Sequence, residues 1–377
     1  MKKFIGFLVF LAAFAMVFGF TITAAMADVD LYGSVRFRTY WADKDKDFSG
    51  TGYDDEDLEW RLGHLSRWGV NYKSGDVRGK VELDARATDT DTGSSMKGEI
   101  RVRHLYGEWD FGKGKLLIGQ TFNPCTVYSS GIGYYSGGIQ KFGGLGLRYF
   151  RTSQIRLTFD NLVLAFMTPD HNEKSLMKPD GTSFTADDTD LTFPRLEARY
   201  SLKLDPVTVD FMGGWQTYDV VDALDHEETI DSYQLGVYAR TNFGPAYVKG
   251  VLTYAQNGGN YGLWSGDVVN QDAMIEGGSV QDAECWGGSI VAGYKVSDTL
   301  TFEGSVGFAS AENDDTTLKN EDDAQVYTLL AKITLAPGVT IQPELIFEDR
   351  DDKYVNGVKT EQGDAVIGGI FWMINFK

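Results

Sequence analysis

Apolar and polar side chains alternate with a period of two from about residue 29 to the end of the chain, and this pattern limits the fold more than any other feature. In residues 154–160, Ile155, Leu157 and Phe159 alternate with Arg156 and Thr158. In residues 195–204, Leu196, Ala198, Tyr200, Leu202 and Leu204 alternate with Arg195, Glu197, Arg199, Ser201 and Lys203. In residues 339–348, Val339, Ile341, Leu345 and Phe347 alternate with Thr340, Gln342, Glu344 and Glu348. Successive side chains of a strand point to opposite faces, so each stretch offers one face to hydrocarbon and one to water. A β-sandwich also alternates, but it buries the apolar face and must protect its edge strands. A sheet closed into a barrel has no edges.

The connections alternate as well. Tight turns are expected around Gly75, Gly112, Asn161, Pro206, Gly244, Asp298 and Gly338, residue types that accept turn dihedrals. Long polar connections lie near 43–58, 88–99, 123–146, 170–192, 219–230, 257–283, 310–323 and 349–363. Short turns on one side and long loops on the other describe a transmembrane barrel of about sixteen antiparallel strands, with the short side periplasmic. The expected fold is therefore all-β, a closed antiparallel transmembrane β-barrel.

The N-terminus gives the compartment. Lys2 and Lys3 precede a nearly continuous apolar run over residues 4–20, and Ala25, Met26 and Ala27 form an A-x-A cleavage site. Residues 1–27 read as a signal peptide and 28–377 as the barrel domain. A retained anchor is the alternative, but small residues stand where a stop-transfer flank would carry charge. After residue 27 no apolar run approaches the roughly 20 residues of a spanning helix. Aromatics are 13 % of the chain and there are 44 glycines against 8 prolines, as expected when only every second residue faces lipid. A net charge of −19 is a poor match for nucleic acid, whose phosphates need clustered cations.

Ser66 to Val70, followed after a turn by Gly79 to Leu83, resembles the second and third strands of general bacterial porins. Arg103, His104, Leu105 and Tyr106 continue the resemblance, as do Leu117 to Gln120 with Asn123 and Pro124, and Tyr149 to Ser153 after a long third loop. The layout of the whole mature chain is similar to that family; the motifs concentrate in residues 60–160. The resemblance implies an outer-membrane homotrimer of sixteen-stranded barrels, each a water-filled channel for passive diffusion of small hydrophilic solutes and ions. It implies a third loop folded into the pore and no cofactor. Ile370, Trp372, Ile374 and Phe376 look like the family's C-terminal signature, with Lys377 one residue beyond the usual terminal aromatic.

Carried over position by position, Arg67, Arg103 and Arg151 would be the wall arginines of the constriction. On alternation, Arg36 and Arg38 share a face of the first strand, and Arg101 shares the face of Arg103. The alternative is a set of scattered lumen charges, some paired with Glu82 or Asp84. The third loop departs from the family pattern: residues 123–146 contain no Asp or Glu, but Tyr128, Tyr134, Tyr135, Phe142 and one cation, Lys141. A constriction with positive charge and no acidic partner favours anions. The expectation is a weakly anion-preferring or unselective pore entered through acidic outer loops; a Gly-rich lid whose aromatics pack on the wall is the other reading. A substrate-selective channel for sugars or anions, with Tyr134, Tyr135 and Tyr149 as an aromatic track, is a second function. An outer-membrane adhesin or enzyme on a barrel is a third.

The remaining motifs carry less. Asp43, Asp45 and Asp47 have the spacing of a calcium loop, but Phe48 stands where that loop needs glycine. A solvated loop, or one bridged by divalent cations to lipopolysaccharide phosphates, fits better. His64, His104, His171 and His226 have no metal-ligand spacing, and no catalytic motif is present. Cys125 and Cys285 could pair only if their Cα atoms approach within about 7 Å; two unpaired thiols is the alternative.

Overall fold

In the computed structural model the alternating stretches become strands, and each tight turn joins two of them into an antiparallel hairpin. The structure describes residues 28–49, 54–63, 66–87, 98–134, 151–169, 188–221, 227–263, 268, 270–276, 279–313 and 317–377. The expected signal segment 1–27, together with His64, Tyr135, Lys141, Phe142, Tyr149, His171 and His226, lies outside the described residues.

Sixteen strands form the wall. They are β1 (Asp28–Lys44), β2 (Asp55–Leu62, resuming as Ser66–Ser74), β3 (Val77–Ala87), β4 (Gly98–Asp110), β5 (Lys115–Phe122) and β6 (Arg151–Phe159). They continue as β7 (Leu162–Met167), β8 (Asp188–Asp190, resuming as Arg195–Leu204), β9 (Val207–Val221), β10 (Glu227–Phe243) and β11 (Ala246–Gln256). The last are β12 (Glu284–Lys295), β13 (Leu300–Glu312), β14 (Glu321–Ala336), β15 (Val339–Arg350) and β16 (Asp364–Phe376). Every strand pairs antiparallel with the next. β1 pairs on its other side with β16, Gly33 opposite Phe376 through Lys44 opposite Ala365, which closes the barrel. Gly33 is a close approach in the seam: a Cβ there would lie 2.2 Å from the Phe376 ring, which occupies that space.

Registers assign the faces. Leu31 faces Val70, Trp41 faces Leu58, Ile118 faces Ile155 and Phe211 faces Val237 on the outer surface, where all but Val70 are exposed outright. Trp60, Trp68, Trp109, Trp215 and Trp372 also point outward, as interfacial girdle residues do. The opposite parity is polar: Ser34 faces Arg67, Asp84 faces Arg101 and Ser201 faces Asp210.

One irregularity re-phases this code. Glu82 pairs with His104 but Leu83 pairs with Val102, so Arg103 is the extra residue of a β-bulge. Val102 and Leu105, three apart, therefore both face out, while Arg101, Arg103 and His104 all serve the lumen side. The long connections carry short elements of their own. A one-turn helix (Lys46–Ser49) lies in the first, and hairpins at Met274–Glu276 with Ser279–Gln281, and at Lys353–Val355 with Val358–Thr360, lie in the sixth and eighth.

The lumen is not uniformly polar, which the alternation alone did not anticipate. Inward positions of β11 to β16, among them Ala255, Ala309, Ala311, Val326, Ile346 and Phe371, form a buried apolar cluster with Cys125, Val127 and Ile132 of the third loop and Tyr261 and Leu263 of the sixth. These wall residues are covered by loops rather than by water, and their side chains match that cover.

Candidate pore constriction

The third loop leaves β5 at Phe122 and follows the inner wall, fastened by a series of polar contacts. Glu197 on β8 accepts the Cys125 N–H at 3.1 Å. Arg199 donates to the carbonyls of Pro124 and Thr126, each at 3.4 Å, and the Tyr238 hydroxyl on β10 donates to the Tyr128 carbonyl at 3.2 Å. Glu303 on β13 accepts the Ser130 hydroxyl at 2.7 Å and the Gly131 N–H at 2.5 Å. Glu344 on β15 accepts the Gly133 and Tyr134 N–H groups at 2.5 and 3.0 Å and the Tyr40 hydroxyl at 2.5 Å. Gln342 donates to the Gly131 carbonyl at 2.8 Å, and Arg38 on β1 donates to the Tyr134 carbonyl. Three wall carboxylates thus hold a loop that has none of its own. Hydrogen bonds to charged acceptors contribute roughly 1.5–3 kcal/mol each, enough to fix a Gly-rich segment. Sequence reading missed Glu197, Glu303 and Glu344. Each shows only as an acid at an inward position, and nothing local reveals that its partner lies 72 to 211 residues away.

Five of the six expected wall arginines gather on β1 to β4. Arg101 is bidentate to Asp84, Nε at 3.1 Å and Nη2 at 2.8 Å. Arg103 reaches Glu82 at 2.5 Å and Asp84 at 3.0 Å. Arg67 and Lys80 approach Glu82 at 3.7 and 3.8 Å, and Tyr32 donates to it at 2.6 Å. Arg38 lies 3.3 Å from Glu59 and 5.5 Å above the Tyr134 ring; Arg36 lies 5.9 Å from the Phe371 ring. The wall therefore carries counter-charges of its own, unlike the uncompensated ring expected from the loop's composition. Around Glu59, Glu82 and Asp84, six cations lie in ion-pair contact with three carboxylates: Arg38, Arg61, Arg67, Lys80, Arg101 and Arg103.

Exposure divides the cluster by task. The side chains of Arg101, Arg67 and Lys80 keep 42, 28 and 26 % of their surface accessible, so they border the water-filled space. Arg103 keeps 1 % and sits behind them, locking Glu82 and Asp84 in place. Lys80 was not among the expected residues, though its inward parity beside Glu82 was readable. Arg151, at the start of β6, lies within electrostatic reach of Arg101, Arg103 and Asp84 and stacks 4.8 Å over Phe122, whose ring meets Tyr128 of the loop edge-on at 5.5 Å. Tyr134 packs edge-on against Tyr40 at 4.9 Å.

Two other readings meet the structure here. Cys125 and Cys285 are separate, buried thiols and form no disulfide. Asp45 accepts the N–H groups of Asp47, Phe48 and Asp364, so it caps the first loop's short helix and ties that loop to β16.

Comparison with known proteins places the molecule. No curated sequence matches it. Among solved structures, it superposes on the outer-membrane channel DcaP of Acinetobacter baumannii with a TM-score of 0.69, at 19 % identity over 93 % of this chain and 97 % of that one. The anion-selective porin from Comamonas acidovorans gives 0.58 at 15 % identity, over 93 and 100 % of the two chains. The trimer form of OmpT from Vibrio cholerae gives 0.57 at 18 % identity, over 93 and 99 %. These likenesses concern the fold. The family model for Gram-negative porins matches residues 12–353, and with the closed barrel and its inward loop this makes the chain a member of the Gram-negative porin family, an outer-membrane channel for passive diffusion.

Proposed function

We propose that this channel passes small hydrophilic solutes and ions with a preference for anions, through a gap between the cations of β1 to β4 and the third loop. The reading is supported by one asymmetry. Arg67, Lys80 and Arg101 keep accessible surface, whereas Glu303 and Glu344, which hold the third loop, are 5 % exposed and committed to loop N–H groups. A passing ion meets accessible guanidinium and ammonium groups on one side and neutral backbone on the other. Arginine suits this role because it stays charged at every working pH and exposes several N–H donors at once. Reversal potential across a tenfold KCl gradient in a planar bilayer tests the reading. The expected sign is that of chloride preference; potassium preference overturns it.

The same proposal covers the life cycle of the chain. Residues 1–27 act as a cleaved export signal, leaving Asp28 as the mature N-terminus. Three barrels associate, an arrangement seen in the trimer form of OmpT. The acidic outer loops bind divalent cations that bridge to lipopolysaccharide phosphates.

A further inference from the structure

Loop 6, between β11 and β12, would be expected to stand above the barrel, yet its first described residues are inside. Asn257, Asn260, Tyr261 and Leu263 are all at most 1 % exposed. Asn257 closes the base of the loop: its N–H donates to the Ala283 carbonyl and its side-chain oxygen accepts the Ala283 N–H, both at 2.8 Å. The chain then turns, with the Tyr261 N–H donating to the Asn257 carbonyl at 2.9 Å, and lays Asn260 and Tyr261 against the inner face of β8 and β9. Gln216 donates to the Asn260 carbonyl at 2.7 Å.

Tyr261 is seated in detail. Its hydroxyl donates to Glu197 Oε1 at 3.1 Å. Its carbonyl accepts from Arg195 Nη1 at 2.9 Å, and the Arg195 guanidinium lies 3.8 Å from the centre of its ring. Arg195 donates in turn to Glu197 Oε1 at 3.0 Å. The seat exists because residue 214 is glycine: a Cβ there would stand 1.9 Å from the Tyr261 hydroxyl. The other oxygen of Glu197 accepts the Cys125 N–H of loop 3. One buried carboxylate therefore holds both loops at once.

We propose that loops 3 and 6 form a single constriction plate pinned at Glu197, so that loop 6 helps set the bore and the steadiness of the open channel. The inference rests on the channel reading above. Undocking Tyr261 removes one of the three donors to Oε1, with Arg195 at 3.0 Å and Gln234 at 3.4 Å remaining, and leaves the Cys125 end of loop 3 with a looser anchor; both loops then sample alternative positions inside the lumen. Arg195 and Glu197 position the plate and need never touch a solute.

Single-channel recording of Tyr261→Phe and Gly214→Ala, refolded beside the parent protein, tests this. Tyr261→Phe removes the hydroxyl but keeps the ring over Arg195; Gly214→Ala displaces the ring without changing any charge. Losing one hydrogen bond to a charged acceptor corresponds to about a tenfold rise in the undocked fraction. It is expected to appear as a severalfold rise in brief closures and an altered mean conductance, with Gly214→Ala the stronger. Heat-modifiable migration in detergent gels shows that each barrel has folded. Should Gly214→Ala fail to fold, Tyr261→Phe decides alone. Folded variants with the parent's conductance and closure frequency overturn the proposal and leave the channel reading intact. A parent protein that forms no channel would refute that reading instead.

Discussion

Glu82→Gln is the variant in which the wall's electrostatics and its stability pull in opposite directions. Glu82 is 2 % exposed and receives Tyr32 at 2.6 Å and Arg103 at 2.5 Å. The amide has a single acceptor oxygen: it can keep the Arg103 bond, while its NH2 faces the Tyr32 hydroxyl, which must turn to accept, and each contact loses a charged acceptor at a cost of about 1 kcal/mol. Arg67 and Lys80, at 3.7 and 3.8 Å, are each about a quarter exposed. Screening holds their combined share to about 0.5 kcal/mol. Arg103 keeps Asp84 at 3.0 Å, so it is not stranded. The variant should lose about 2–3 kcal/mol of barrel stability, read as a lower temperature for conversion to the unfolded band in detergent gels. Its selectivity should move the other way. An ion passing about 7 Å from a unit charge in water feels about 0.6 kcal/mol. About half of this survives screening at 0.1 M salt. Removing the negative charge then raises anion occupancy and lowers cation occupancy, changing the chloride-to-potassium permeability ratio about threefold. Reversal potentials of parent and variant measure that ratio. A folded Glu82→Gln channel with unchanged selectivity, or one shifted toward potassium, would refute the claim that the β1 to β4 wall sets the field. Arg101→Gln, at the most accessible of the three cations, should shift the ratio in the opposite sense.

Other outcomes follow from the same geometry. Glu344→Gln weakens the hold on Gly133 and Tyr134 and also the Tyr40 bond from β1, so it should increase channel noise and lower barrel stability together; a folded variant with a quiet channel would count against loop anchoring by wall carboxylates. Asp45 provides a pH test. Partial burial raises its pKa, but hydrogen bonds from Phe48, Asp364 and Asp47 outweigh it, and the folded value lies below the ordinary one. That contribution is present above pH of about 4 and is lost as pH falls through the folded value. The protection factors of the first-loop amides, that is, exchange relative to the intrinsic rate at each pH, should therefore fall between neutral pH and pH of about 3; equal protection at both would contradict the cap. Cys125 and Cys285 are 2 and 0 % exposed, and burial pushes the Cys125 thiol well above its usual pKa. Neither should react with a bulky maleimide until the barrel is unfolded, which mass spectrometry can follow.

What the chain declares on its own is local. Alternation at 154–160, 195–204 and 339–348 assigned inward and outward faces that the registers reproduce, because strand side chains flip with every residue whatever lies beside them. Gly, Pro, Asn and Asp punctuation located all seven tight turns, because turn dihedrals depend on a few adjacent residues. The candidate site was only half legible. Alternation put Arg36 with Arg38 and Arg101 with Arg103 on shared faces, and motif placed Arg67 and Arg103; Glu82 and Asp84 were readable as possible partners, but not which arginine each would hold, since Arg103 meets Glu82 only across a hairpin with a bulge in it.

The tertiary structure alone decided the rest. It joined loop 3 to Glu197, Glu303 and Glu344, folded Tyr261 onto Gly214, and buried an apolar patch inside a lumen expected to be wet. The physical reason is distance along the chain. Period and turn chemistry act between neighbours, whereas loop anchoring and ion pairing depend on which far-apart residues barrel closure brings within a few ångströms.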